Sequence, residues 1–329
     1  MRVLIVRLSS LGDVVHAAPV VADIRAALPH ATIDWVVEEA FVPLARCIGG
    51  VDRVVPVALR RWRRQWRASR EERRVALAEL RRERYDAVID LQGLIKSALV
   101  ARLAGLRAGG VRAGLANRTD GSAYEPLARW AYSQAVPMPP WIHVTERSRQ
   151  LAAVALGYTP QGAPRIDWAA PPLAAGDTVW ADPRAVWLVH GSAKSIKLLG
   201  EVFWAEIATA LLTEGWRVLL PWGTEEERAR SESIRALVGA GDAVRVPPRL
   251  PLDRLASVLQ RSAGSIGLDT GLSHLVATLG RPCVQLFLED KAWRAAIDWM
   301  PRTRVLQATE RVPITPARAL AAWREAARG

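Results

Sequence analysis

The chain opens Met1-Arg2-Val3-Leu4-Ile5-Val6-Arg7-Leu8-Ser9-Ser10-Leu11-Gly12-Asp13-Val14. A β-branched run passes straight into a short polar turn. Val14, Ala17, Ala18, Val21, Ile24 and Leu28 then recur on one helical face until Pro29. A buried strand entering a helix through a tight turn is the start of a crossover unit. The alternation continues outward from there. Residues 32–37 and 54–57 read as strands, 68–84 as a very charged helix, 87–91 as a further buried strand and 93–106 as a helix. Strands alternating with helices predict parallel pairing in a doubly wound sheet.

From about residue 158 to 183 the pattern lapses into Pro, Gly, Ala and Asp without periodicity, which reads as a linker. It then restarts. Strands are predicted at 185–190, 216–220, 243–246, 264–268 and 283–288, and helices at 202–214, 225–238, 252–261, 271–279 and 315–328. The expectation is an α/β protein of two Rossmann-like halves: an N-terminal domain over 1–165, a linker over 166–183, a C-terminal domain over 184–312, and a last helix in 313–329. Ligands of such folds bind beyond the carboxyl ends of the strands, in a cleft.

Composition bounds the function. The 329 residues suit two domains, and 50% apolar with 24% charged residues excludes a disordered chain. No stretch approaches the roughly 18 apolar residues of a membrane span. The N-terminus has neither the long apolar segment nor the cleavage site of a signal peptide, so it reads as a first strand. Cys47 and Cys283 are too few and too far apart for a disulfide framework or a zinc cluster, which fits the cytosol. The net charge of +12, almost all from arginine, points to a polyanionic partner: a phosphorylated substrate, an anionic membrane face or nucleic acid.

Five segments carry candidate chemistry. The first turn, Ser9-Ser10-Leu11-Gly12-Asp13, has one glycine and is not a dinucleotide fingerprint. Its hydroxyls and free N–H groups suit an anion at a helix N-terminus, and Asp13 reads either as a helix cap or as a base facing the cleft. Arg60-Arg61-Trp62-Arg63-Arg64-Gln65-Trp66-Arg67 is either a solvated helix face or a site for phosphate and carboxylate groups, with indoles suited to a sugar face or a membrane interface. His190-Gly191-Ser192 leads into a turn with Lys194 and Lys197, a candidate diphosphate cradle. Glu225-Glu226-Glu227 opens a helix, where acidic residues are favoured by the dipole, and one glutamate turned inward would suit ribose hydroxyls. Asp269-Thr270-Gly271-Leu272-Ser273-His274 follows a strand and opens a helix, a polar nest for sugar or phosphate. No Asp-x-Asp pair or His/Cys cluster offers a metal site.

Taken together these residues resemble the ADP-heptose-using heptosyltransferases of lipopolysaccharide core assembly. The likeness runs through residues 3–14, Asp34-Trp35-Val36-Val37-Glu38-Glu39, Arg60-Arg61-Trp62-Arg63, residues 85–94, Glu125-Pro126-Leu127-Ala128, Pro221-Trp222-Gly223 and the Asp269–His274 turn. Within the family, the Arg-Arg-Trp-Arg run favours addition of the first heptose over the second. The resemblance implies a GT-B fold, with the acceptor on the N-terminal domain, the donor on the C-terminal one, and the last helix packed back on the N-terminal domain. It implies inverting transfer of heptose from ADP-heptose to Kdo on Kdo-lipid A, without a cofactor or metal, at the cytoplasmic face of the inner membrane. Carried over by position, Asp13 is the base. Ser192, Lys197, Glu225, Asp269, Thr270, Gly271 and His274 bind the donor. Ser9, Ser10, Gly12, Arg60, Arg61, Arg63 and Arg64 bind the acceptor.

Three places depart from the family's pattern: Leu198-Leu199-Gly200, the loop Leu288-Glu289-Asp290-Lys291-Ala292-Trp293, and Tyr124 in place of an arginine. The competing readings are a GT-B enzyme with another nucleotide sugar or core acceptor, and a basic nucleic-acid-binding protein using the Arg60–Arg74 segment. The second leaves the Asp269–His274 turn without a use, so no nucleic acid is expected.

Overall fold

A computed structural model describes residues 1–192 and 198–329. The chain divides into two units, Met1–Ala169 and Ala170–Gly329. The first runs β1 (Arg2–Val6), α1 (Leu11–Ala17), α2 (Pro19–Ala27), β2 (Thr32–Glu38), α3 (Val42–Arg46), β3 (Arg53–Val57), α4 (Leu59–Arg64) and α5 (Arg70–Arg81). It continues with β4 (Tyr85–Asp90), α6 (Ile95–Leu103), β5 (Leu106–Leu115), β6 (Gln134–Val136) and α7 (Val144–Leu156). The second runs β7 (Ala185–Val189), α8 (Glu201–Thr213), β8 (Arg217–Leu219), α9 (Glu225–Val238), β9 (Val244–Arg245) and α10 (Leu252–Leu259). It closes with β10 (Gly264–Leu268), α11 (Gly271–Thr278), β11 (Cys283–Phe287), α12 (Ala292–Ala295), β12 (Thr303–Gln307) and α13 (Pro316–Arg328).

Each unit holds a six-stranded parallel sheet among the described residues. The orders are β3-β2-β1-β4-β5-β6 and β12-β11-β10-β7-β8-β9, so the second sheet repeats the order of the first. Strand order reverses between β1 and β4 in one unit and between β7 and β10 in the other, and those switch points are where such sheets open a crevice. The strands at these points are fully buried: Val3 to Val6 on β1 and Val186 and Leu188 on β7 are 0% exposed. Helices cover both faces of a parallel sheet, which is why these strands read as unbroken apolar runs rather than alternating ones.

Several elements differ from the sequence expectation. The single helix after the first turn is two, α1 and α2, because Pro19 has no N–H for the ladder and instead starts a second helix at N1. β5, β6, α7 and β12 were not expected. Arg107-Ala108-Gly109-Gly110 inside β5 has loop composition, and α7 buries Arg147 and Arg149, residue types that normally mark a solvent face. The segment 166–183 is tied down rather than loose. Gly49 N–H donates to Asp167 O at 2.6 Å, Ala169 N–H to Cys47 O at 2.7 Å, and Arg254 grips Asp177 at 2.5 and 2.6 Å.

The last helix is corrected. α13 was expected on the N-terminal domain, but it packs on α8, β10, β11 and β12 of the second unit. Its stripe of Ala319, Leu320, Ala322 and Trp323 belongs to that unit's core, with Trp323 edge-on to Trp216 at 5.7 Å. No helix among the described residues is long and apolar enough to cross a membrane.

At the amino ends of the first sheet, buried Asp34 accepts from Arg2 Nε at 3.2 Å, Arg53 Nε at 3.1 Å and the Tyr85 hydroxyl at 2.8 Å. This cluster pins β1, β2, β3 and β4 together at the end remote from the switch point. Its role is structural.

Candidate active site

In the first unit the β1–β4 switch point carries Asp13. It stands at the third position of α1, where its carboxylate accepts from Ser10 N–H at 2.8 Å and the Ser10 hydroxyl at 3.1 Å. The capping reading is therefore correct as far as it goes. The other carboxylate oxygen meets the guanidinium of Arg7, which is buried in the strand end. Burial alone would raise the Asp13 carboxyl, but the Arg7 charge, the two Ser10 hydrogen bonds and the Arg147 charge together hold it below its ordinary range. The result is a half-buried carboxylate that stays ionised.

Arg7 was missed because an arginine ending a β-branched run looks like the strand's exit into solvent. It also donates to Leu91 O at 2.5 Å, while Leu8 N–H donates to Gln92 Oε1 at 3.0 Å. The β1 and β4 turns are thus locked to each other. Asp90 at the end of β4 is buried, accepting from Tyr132 and Ser97 hydroxyls and from Gln92 N–H, and burial pushes its carboxyl up. Ser9, Ser10 and Gly12 lie in the same turn as Asp13, with Ser9 buried and Ser10 exposed.

The four arginines do not behave alike. Arg60, Arg63 and Arg64 on α4 are exposed; Arg60 faces Glu38, whose carboxylate its charge and backbone N–H favour, while Arg63 and Arg64 make no ion pair among the described residues. Arg61 is already engaged, by Glu39 through two bonds of 3.0 Å and by Glu72 at 2.8 Å. A guanidinium so neutralised is a poor recruiter of a further anion. Glu38, at the carboxyl end of β2, was also missed. It is buried, its carboxyl is pushed up by burial against the Arg60 N–H bond, and its Oε1 has no partner. Tyr124 donates its hydroxyl to Ala116 O at 2.9 Å and so serves the backbone.

In the second unit the β7–β10 switch point brings together the His190 and Asp269 turns. Asp269 follows β10, Thr270 caps α11 and Gly271 is its first residue. His274 Nε2 lies 3.2 Å from Asp269 Oδ1, and its Nδ1 lies 2.9 Å from Gln285 Nε2. Gln285 Oε1 accepts from Ile297 N–H at 2.8 Å, so its amide nitrogen is the group that donates to Nδ1. Nδ1 is thereby the acceptor, and Nε2 is the ring nitrogen that donates to Asp269. Gly267 permits the close approach of β10: a Cβ there would lie 2.4 Å from Ser273 Oγ and 2.6 Å from Val189 Cβ.

His190 directly follows β7, bonded through Nε2 to Ser231 Oγ at 2.8 Å, and burial lowers its pKa to about 4. It is neutral near pH 7. Ser192 follows, half-buried. Lys194 and Lys197 lie outside the described residues. The glutamate that folds back to the strand ends is Glu227, not Glu225. Glu225 is 75% exposed and pairs with Arg228 at 3.5 Å. Glu227, three residues past the Thr224 cap, accepts from Gly223 N–H at 2.7 Å, and its Oε1 fills the space a Cβ on Gly191 would take. The reason is the capping geometry: the third helical residue turns back while the first points out. Of the departing loops, Leu198 and Leu199 pack on the second unit's core. The other is closed by Lys291 to Glu289 at 2.5 Å and Gln307 to Asp290 at 2.8 Å.

Among the described residues no group of three or more His, Cys, Asp or Glu side chains is set to hold a metal ion. Residues 73–311 match glycosyltransferase family 9 (heptosyltransferase). Lipopolysaccharide heptosyltransferase 1 of Pseudomonas aeruginosa is 41% identical over 291 residues, covering 87% of this chain and 78% of that one. The E. coli heptosyltransferase WaaC with ADP superposes with a TM-score of 0.84 at 34% identity, covering 99% of this chain and all of that one. WaaC with ADP-2-deoxy-2-fluoro heptose gives 0.80 at the same identity, covering 99% of each chain. The structural likeness bears out the expected GT-B fold of two parallel-sheet units. The chain belongs to glycosyltransferase family 9, the heptosyltransferases.

Proposed function

We propose that this enzyme transfers heptose with inversion from ADP-heptose to the Kdo residue of Kdo-lipid A, on the cytoplasmic face of the inner membrane. The observation that carries this reading is an ionised Asp13 held at the first unit's switch point; the second unit's switch point separately offers a helix N-terminus with His274 set against Asp269. The likeness to enzymes solved with ADP and an ADP-heptose analogue supports the donor. The exposed Arg63 and Arg64 of α4, which make no ion pair among the described residues, support an anionic acceptor.

The chemistry follows from these groups. The Kdo hydroxyl oxygen attacks the anomeric carbon, and the bond to the departing ADP oxygen breaks, ADP taking the electron pair. The hydroxyl proton passes to the Asp13 carboxylate. A carboxylate held below its ordinary pKa is a weak base. It suffices because the hydroxyl becomes strongly acidic as its oxygen bonds to an oxocarbenium-like carbon. Charge developing on the diphosphate meets the free N–H groups opening α11, assisted by Lys197. Asp269, steadied by His274, accepts from sugar hydroxyls with Thr270 and Gly271 beside it, and Glu227 rather than Glu225 faces the ribose.

Enzyme, Kdo-lipid A and ADP-heptose, assayed for released ADP with UDP- and GDP-sugars in parallel, test this. ADP release dependent on both substrates is expected. Turnover of a UDP- or GDP-sugar in its place would replace the donor assignment.

A further inference from the structure

An apolar groove of about 400 Å³ opens where α4, α5 and α6 meet, beyond the carboxyl end of β3. Trp62, Trp66, Leu77, Leu80, Leu99 and Leu103 line it, and no step of the transfer uses it. It is open to solvent, with Trp66 66% and Leu99 47% exposed. Its polar lining is cationic: Arg63 and Arg73. Arg73 lies over the Trp66 ring, 3.3 Å from its centroid, and its Nη1 is buried with no hydrogen-bond partner. The nearby acids do not serve it. Glu72 is taken by Arg61 and the Trp62 indole, and Glu71 lies 3.9 Å from Arg74. A buried cationic N–H without an acceptor is costly and is relieved by an anion.

A hollow of leucine and tryptophan with free arginines at its mouth complements a hydrocarbon chain that carries an anionic group. Its concave form fits a single chain, whereas contact with a bilayer surface needs an apolar face that projects. We propose that the groove holds one acyl chain of the lipid acceptor, with Arg63 and Arg73 on the anionic group at the chain's head. The proposal rests on the acceptor being a glycolipid. Its placement agrees with that. α4 leaves the carboxyl end of β3, and β3 lies two strands from β1, about 10 Å from the Asp13 turn at ordinary strand spacing.

Binding and turnover are read separately. Octyl, decyl and dodecyl phosphate are titrated calorimetrically into wild type, Ala76→Trp, which fills the groove, and Leu99→Asp, which charges its rim. Melting curves confirm that both variants fold. Affinity for wild type should rise about fourfold per added methylene, the equivalent of roughly 0.8 kcal/mol, and dodecyltrimethylammonium should not saturate. Both variants should bind dodecyl phosphate at least tenfold more weakly. In turnover they should raise KM for acylated Kdo-lipid A and leave KM for the fully deacylated acceptor and for the donor unchanged. Failure of wild type to bind any alkyl phosphate, or equal binding by Ala76→Trp, overturns the groove assignment whatever the transfer assay reports. Phosphatidylglycerol vesicle binding that Ala76→Trp abolishes, with acceptor KM unaltered, would make the occupant a bilayer lipid and also overturn it. Wild type that binds dodecyl phosphate but transfers to neither acceptor defeats the glycolipid reading, and with it the acyl chain of that acceptor as the occupant.

Discussion

Arg7 and Asp13 decide what the first switch point can do. A capping aspartate needs only the Ser10 bonds, whereas the buried Arg7 guanidinium adds a charge whose effect is to keep the carboxylate ionised. The pH dependence follows from that direction. Asp13 titrates below its ordinary 3.8, so kcat/KM should hold as pH falls toward 4 and drop only below it, once the carboxyl takes a proton. The same lowered pKa means that the ionised turn contributes stability above the ordinary range and loses it as pH falls through the folded value. A pH–rate profile with a folding control checks this, and an acid limb near pH 6 would assign the base to another group. Asp34 acts at the opposite end of the sheet. Asp34→Asn should destabilise the protein by about 3 kcal/mol, because Arg2 and Arg53 lose the charge they share, while leaving KM for both substrates unchanged. Denaturant melts test it.

At the scale of elements, the first turns of α9 and α4 make distinct predictions. Glu227→Gln should raise the donor KM roughly tenfold or more, the worth of one charged hydrogen bond, while Glu225→Gln leaves it near wild type. The reverse order would restore Glu225 to the ribose. On α4, Arg60→Glu with Arg63→Glu should raise the acceptor KM steeply at low salt and leave the donor KM alone. Wild-type acceptor KM should itself rise with salt, since exposed charges are screened over about 10 Å at 0.1 M. Unchanged acceptor kinetics would make the run surface charge only. What was legible in the sequence divides along these elements. Asp13 and the Asp269–His274 turn were readable because strand-to-helix turns expose their residues in order. Arg7 and Gln285 were not, since Arg7 turns back from the end of β1 onto α1 and Gln285 reaches from β11 to His274 on α11, contacts that no local pattern reports. Glu227 was within reach, because Thr224 three residues before it is a capping signature. β5 and α7 were hidden by composition, Gly109 and Gly110 in the one and buried Arg147 and Arg149 in the other.

At the scale of the molecule, two sheets of the same strand order each place their candidate site residues at the reversal of that order. The fold was legible as two alternating halves because fully covered parallel strands write themselves as continuous apolar runs. The placement of α13 was not, since an amphipathic helix specifies that its stripe is covered and leaves open by which sheet. The central claim is that one unit supplies the base and the other the donor site. It is tested most directly by Asp13→Asn, a near-isosteric change that keeps a capping acceptor and removes the proton acceptor. Heptose transfer to Kdo-lipid A is measured alongside ADP-heptose binding by calorimetry. Transfer should fall by about 10² to 10⁴-fold with donor affinity unchanged. A folded Asp13→Asn enzyme that turns over at the wild-type rate, or that loses donor binding instead, would contradict the account.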